Sequence, residues 1–122
     1  MPKKILHIED EVGLQKTLAS FLEKAGFKVV GASDGELGLK VLDEEKPDLL
    51  IVDLILPKKD GFEVLETIRS KEATKNLPVI VLTNLEEKYD IERAMAYGVR
   101  AYLVKANYKP EEIVEKVKAV LQ

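Results

Sequence analysis

Five short runs of aliphatic and β-branched residues alternate with five segments of helical period along this chain of 122 residues. Strands separated in this way return to the sheet over a helix, so the pattern specifies a parallel sheet with helices packed on both faces. The runs are Lys4 to Glu9, Phe27 to Ala32, Leu49 to Asp53, Val79 to Thr83 and Ala101 to Val104. Leu49-Leu50-Ile51-Val52 and Val79-Ile80-Val81-Leu82 are continuously apolar rather than alternating, as expected of central strands buried on both faces. Parallel connections of this kind are right-handed, and ligands bind at the carboxyl ends of the strands, where strand order reverses.

Between the strands, the first helix carries Leu14, Leu18, Phe21, Leu22 and Ala25 on one stripe and ends at Gly26, a natural left-handed cap. The second begins at Ser33-Asp34-Gly35-Glu36, where Ser33 is expected to cap and Glu36 to reach back, and Lys46-Pro47 stops it. The third starts near Gly61 and turns Phe62, Leu65 and Ile68 inward. The fourth does the same with Ile91, Ala94 and Met95 and stops at Gly98. Pro110 opens the last, which shows Ile113, Val117, Val120 and Leu121 on one face.

A hydrophobic content of 46% over this length supports one domain, residues 1–122, with no linker, repeat or low-complexity tract to divide it. No apolar run approaches the roughly 20 residues that span a membrane, and no signal peptide is evident. Zero cysteines exclude disulfides and thiolate metal sites and agree with a cytoplasmic location. A net charge of -3 gives no general attraction for nucleic acid or anionic lipid, so contact with DNA would need another domain.

The residues at the strand ends are polar and reactive: Glu9, Asp10 and Glu11 after the first, Asp53 after the third, Thr83 after the fourth, Lys105 after the fifth. Alone, the three acids could serve only as a negatively charged helix amino terminus. Beside Asp53, at the tip of a strand as apolar as Leu49 to Val52, they repel one another in poorly solvated surroundings, and a cation resolves the conflict. Carboxylate oxygens without histidine or cysteine select a hard divalent ion, Mg²⁺ before Ca²⁺, with Mn²⁺ a substitute. Such an ion also lets a carboxylate meet an anionic donor. Asp53 is then a nucleophile toward a phosphoryl group, while Lys105 and Thr83 supply an ammonium and a hydroxyl to its oxygens.

Over essentially its whole length the chain resembles the receiver domains of two-component response regulators. The matching stretches are Ile5-Leu6-His7-Ile8-Glu9-Asp10-Glu11, Pro47 to Pro57 with Asp60-Gly61, Pro78 to Thr83, and Ala101-Tyr102-Leu103-Val104-Lys105. The resemblance implies a doubly wound five-stranded α/β/α sheet in flavodoxin-like order 2-1-3-4-5. It implies that Asp53 takes a phosphoryl group from a histidine kinase or a small donor, and that Asp10, Asp53 and the backbone carbonyl of Ile55 ligate the metal, with Glu9 acting through a metal-bound water. By the same resemblance Thr83 would rotate toward the phosphoryl group and Tyr102 would change rotamer with it, reshaping the face of the fourth helix, fifth strand and fifth helix for an unknown downstream protein, with no turnover enzyme activity expected.

Two positions depart from the family. Ala106 follows Lys105 where the family has a cis proline, and because a non-proline cis bond costs about 2.5–4 kcal/mol a trans peptide is expected with Lys105 still in the site. Asn84 follows Thr83 where many relatives have a small residue, and is expected to shield or hydrogen-bond the phosphoryl group. Ile55 and Leu85 cannot position an attacking water, so a long-lived phosphoryl group is expected. His7, with no second ligand in sequence, reads as a core residue, and Lys58-Lys59 as a solvated loop.

Three other functions fit less well. An aspartate-nucleophile phosphatase of the haloacid dehalogenase type needs an acid where Ile55 stands. The acids Glu9 to Glu11 would repel a flavin phosphate. A scaffolding receiver that is not phosphorylated is disfavoured because the charged site residues are all present. A stand-alone chain, monomeric or weakly dimeric, is the expectation.

Overall fold

The computed structural model describes residues 2–122. In chain order the elements are β1 (Lys4–Ile8), α1 (Val12–Lys24), β2 (Lys28–Ala32), α2 (Gly35–Glu45), β3 (Leu49–Val52), α3 (Gly61–Arg69), β4 (Val79–Thr83), α4 (Lys88–Met95), β5 (Ala101–Val104) and α5 (Pro110–Leu121), with one 3-10 turn at Lys105–Asn107. The strands form one parallel sheet in the order β2-β1-β3-β4-β5, as the alternation and the resemblance implied. Three ends lie one residue inside expectation: Glu9, Phe27 and Asp53 fall outside their strands. Glu9 and Asp53 nonetheless continue the ladder, donating from their N–H groups to the carbonyls of Ala32 and Ile8.

Each face of the sheet has its own core. Leu6, Ile8, Leu50, Val52, Val79 and Val81 pack with Leu65 and Ile68 of α3 and Leu42 of α2. Ile5, Leu49, Ile51, Ile80 and Leu82 pack with Leu18 and Leu22 of α1 and Ile113 and Val117 of α5. All of β3 and β4 is buried, which is why those two sequences are apolar at every position. Val120 and Leu121 only flank the α5 seam, partly buried.

Local details correct the sequence reading at two helices. Asp34, not Ser33, caps α2, its side chain accepting from Leu37 N–H at 2.7 Å. The helix starts at Gly35, so the acceptor two or three residues ahead of a first-turn N–H is Asp34. In α4 only Ala94 is buried, whereas Met95 is 46% exposed. Successive helical residues lie about 100° apart, and a helix of 8 residues beside an edge strand has too narrow a buried stripe to hold both. An unpredicted capping box opens α3, where Asp60 and Glu63 exchange side-chain to backbone bonds.

Arg69, at the end of α3, gathers a long connection. Its Nε donates to Tyr97 O at 2.7 Å, and its Nη1 lies within hydrogen-bond reach of Leu77 O (2.8 Å), Lys75 O (3.1 Å) and Thr74 O (3.3 Å). One guanidinium thus ties the α3–β4 connection to the end of α4. Arg69→Met, which keeps the aliphatic stem and removes the donors, is expected to cost about 2–3 kcal/mol in urea unfolding. An unchanged denaturation midpoint would show that water satisfies these carbonyls instead.

Candidate functional site

Strand register assembles the site. Ile8 pairs with Val52, so the next residues, Glu9 and Asp53, emerge side by side where the order reverses between β1 and β3. Thr83 pairs with Val104, which brings Lys105 to the same end of the sheet. Lys105 Nζ donates to Asp53 Oδ2 at 2.7 Å and to Glu9 Oε2 at 3.0 Å. It also lies 2.9 Å from Glu9 Oε1, which accepts no hydrogen bond. The expected trans Lys105–Ala106 peptide is observed, since no cis bond occurs among the described residues, and it does not keep Lys105 out of the site.

The two carboxylates meet the ammonium in near-complete burial, with side-chain exposures of 0% for Glu9, 5% for Asp53 and 13% for Lys105. Burial pushes the Glu9 carboxyl above its ordinary range despite the hydrogen bond from Lys105. Lys105 is held above its ordinary value: burial opposes its charge, but the hydrogen bonds to Asp53 and Glu9 outweigh it. Backbone groups add to this: Asp53 Oδ1 accepts from Ile55 N–H at 3.1 Å, and Glu9 Oε2 accepts also from Glu11 N–H at 3.1 Å.

Asp10, exposed at the rim, completes a group in which one carboxylate oxygen each of Glu9, Asp10 and Asp53 lies within 4.8 Å of the others. An oxygen-only donor set of three acids, Glu9 and Asp53 buried and Asp10 exposed, fits a hard divalent cation such as Mg²⁺. Ile55 lies on the loop beyond Asp53 with its side chain 54% exposed.

Thr83 and Tyr102 stand beside this group rather than on it. The fully buried Thr83 accepts at Oγ1 from Leu85 N–H at 3.4 Å, and Tyr102 donates its hydroxyl to Leu85 O at 2.9 Å. Leu85 is therefore the backbone junction between them, and Asn84 between is exposed. Burial, with Asp90 and Asp53 adding to it, pushes the Tyr102 hydroxyl up to about 12, so it remains a donor at neutral pH.

His7 is in the core, as its isolation in the sequence indicated, at 0% exposure and with neither ring nitrogen hydrogen-bonded. Burial, followed by the Lys105 charge, holds it down at about 4, so the imidazole is neutral. A buried, unpartnered polar ring costs stability, and His7→Leu is expected to raise the unfolding free energy by about 1–2 kcal/mol. Urea denaturation checks this; a loss of stability would mean that the ring is satisfied in solution.

Two features near Asp53 escaped the sequence reading. Gly61 lies against the end of β3: a Cβ there would meet the carbonyl oxygen of Asp53 and Cα of Leu54, and its N–H bonds Leu54 O at 3.0 Å. Lys58 holds a left-handed backbone, φ 69°, in a loop whose polarity suggested only solvation. The signal for Gly61 was its position after Asp60, read as a helix start and as part of the family match but not as a close approach to β3.

Residues 5–118 match the family described as the response regulator receiver domain. The chain belongs to that family. The receiver is 38% identical over 122 residues to the alkaline phosphatase synthesis transcriptional regulatory protein PhoP of Bacillus subtilis, covering all of this chain and 50% of that protein. It is 32% identical to the phosphate regulon transcriptional regulatory protein PhoB of Escherichia coli, covering 100% of this chain and 53% of PhoB. It thus spans about half the length of these curated relatives. Among solved structures, a putative response regulator from Chloroflexus aurantiacus superposes with a TM-score of 0.91 at 31% identity, covering 99% of this chain and 98% of that one. The chemotaxis protein CheY4 of Vibrio cholerae gives 0.90 at 26% identity, covering 98% and 99%. No helix among the described residues is long and apolar enough to cross a membrane.

Proposed function

We propose that residues 1–122 form one receiver domain that is switched by phosphorylation of Asp53. The observation that carries this reading is the convergence of Lys105 on the buried carboxylates of Asp53 and Glu9, with Asp10 alongside. An aspartate positioned in this way can attack phosphorus as one carboxylate oxygen forms the new P–O bond and the donor's bond to phosphorus breaks. The donor is a histidine kinase phosphohistidine, whose imidazole leaves, or a small molecule such as acetyl phosphate. Asp10, Asp53 and the backbone carbonyl of Ile55 would hold Mg²⁺ or Mn²⁺, with Glu9 acting through water. The ion supplies charge neutralisation and orientation of phosphoryl oxygens when bound.

Lys105 then exchanges carboxylate for phosphoryl oxygens, and it needs only a small movement because its Nζ already touches the acceptor. Thr83 gives up the long bond from Leu85 N–H and donates to the phosphoryl group. Since Tyr102 hangs on the carbonyl of the same Leu85, displacement of that residue is passed to the face of α4, β5 and α5. That face contacts the downstream protein.

Intact mass after incubation with acetyl phosphate and Mg²⁺ tests the reading, with one added phosphoryl group expected and none in EDTA. An unmodified protein, under conditions that modify a control receiver, would instead favour a scaffolding role. Exposed Ile55 and half-buried Leu85 offer no polar group to align an attacking water. The adduct, isolated from donor and held with Mg²⁺, is therefore expected to outlast many minutes; decay within seconds would contradict this.

A further inference from the structure

Gln15, on the second turn of α1, sits behind the acidic group without touching any of its carboxylates. Its Nε2 donates to Glu9 O at 2.8 Å and to Ala32 O at 3.2 Å, so one amide clamps the carboxyl ends of β1 and β2 together. Its own backbone N–H bonds Glu11 O at 3.0 Å, which makes Gln15 a brace on both ends of the segment Glu9-Asp10-Glu11. Within the loop Glu11 N–H bonds Glu9 Oε2 at 3.1 Å, but α1 has no side-chain cap, and Asp10 and Glu11 are exposed.

The opposite wall is Gly31 of β2. A Cβ on Gly31 would overlap Gln15 Oε1 and lie 2.7 Å from its Cδ. Gly31 has a negative φ and so needs no glycine for its backbone; the missing side chain is what makes room for the amide.

We infer that Gln15 and Gly31 are a positioning pair for the divalent-cation site, the amide fixing the backbone from which Glu9 and Asp10 project and the glycine giving it its seat. This rests on the function proposed above. Residues that orient ligands without touching the ion commonly govern affinity by about tenfold or more when removed. Gln15→Met, near-isosteric but without the amide, is therefore expected to raise the Mg²⁺ Kd about tenfold by isothermal titration. Gly31→Ala is expected to do the same by displacing the amide. In the double variant, Gly31→Ala should add little to Gln15→Met, because the methyl group no longer has an amide to displace.

A Mg²⁺ Kd for Gln15→Met within twofold of wild type, or full additivity of the two substitutions, overturns the inference. Amide hydrogen exchange in metal-free protein supplies a second readout. Glu9 and Glu11, whose N–H groups bond Ala32 O and Glu9 Oε2, are expected to exchange several times faster in Gln15→Met, while amides of β3 and β4 keep their protection. Unchanged exchange at those two amides also overturns it, even if wild type binds no Mg²⁺. That last result would sink the metal reading itself and leave the brace to be judged on exchange alone.

Discussion

Asp53→Asn is expected to acquire no phosphoryl group from acetyl phosphate and Mg²⁺, against one per chain in wild type, by intact mass. The substitution is nearly isosteric, so Ile55 N–H keeps an acceptor and β3 keeps its packing, but an amide oxygen is no nucleophile toward phosphorus under these conditions. The variant should fold at least as well as its parent. It removes one of two buried carboxylates that share a single ammonium, and the like charge of Asp53 is among the causes that raise the Glu9 carboxyl. A phosphoryl adduct persisting on Asp53→Asn would move the acceptor elsewhere and end the proposed mechanism.

Lys105→Met is expected to have the second largest effect, and in two observables. In metal-free protein it leaves Glu9 and Asp53 buried without their cation, and breaking one side of a buried ion pair typically costs about 3–5 kcal/mol. Urea denaturation in EDTA measures this. Mg²⁺ should restore part of the loss, because the ion can take over neutralisation of the same carboxylates. The pH dependence has a definite sign. The Glu9 carboxyl is already raised by burial, and losing Lys105 raises it further, so its folded value lies above its unfolded one. Stability from such a group is complete below the unfolded value and is lost as pH rises through the folded one. The deficit of the variant should therefore shrink on acidification towards the ordinary glutamate range and be largest near neutrality.

Phosphorylation of Lys105→Met should also slow by about 10²–10³, the scale for removing a preorganised charge from a developing anion. If stability falls but the phosphorylation rate stays within severalfold of wild type, Lys105 is an ion-pair partner of the resting state and not a participant in transfer.

Much of this architecture was legible from the chain because the signals involved are local. Helical stripes of period 3.6, the uninterrupted apolar runs of β3 and β4, Gly26 with φ 99° and Pro110 at the start of α5 each express a preference that a few neighbouring residues decide. The candidate residues followed from a topological rule, that parallel strands present their carboxyl ends together, so Glu9, Asp53, Thr83 and Lys105 could be named before any distance was known. Cap choice was not legible because the side-chain oxygens of Ser33 and Asp34, one residue apart, can both accept at an N-cap, and only the first helical φ and ψ select between them.

By itself, then, the sequence determined which residues could reach the end of the sheet and what chemistry they would carry there. Tertiary structure alone decided how they share charge. Lys105 bridges two acids, one of them 96 positions away, and the buried His7 ring beside Glu9 is left without a hydrogen bond. Leu85 became the junction of Thr83 and Tyr102, and Gln15 the brace behind the acids, through contacts between residues distant in the chain. Such contacts depend on strand register and side-chain direction in three dimensions, and pairing rules of that kind leave no periodic trace in the residues that obey them.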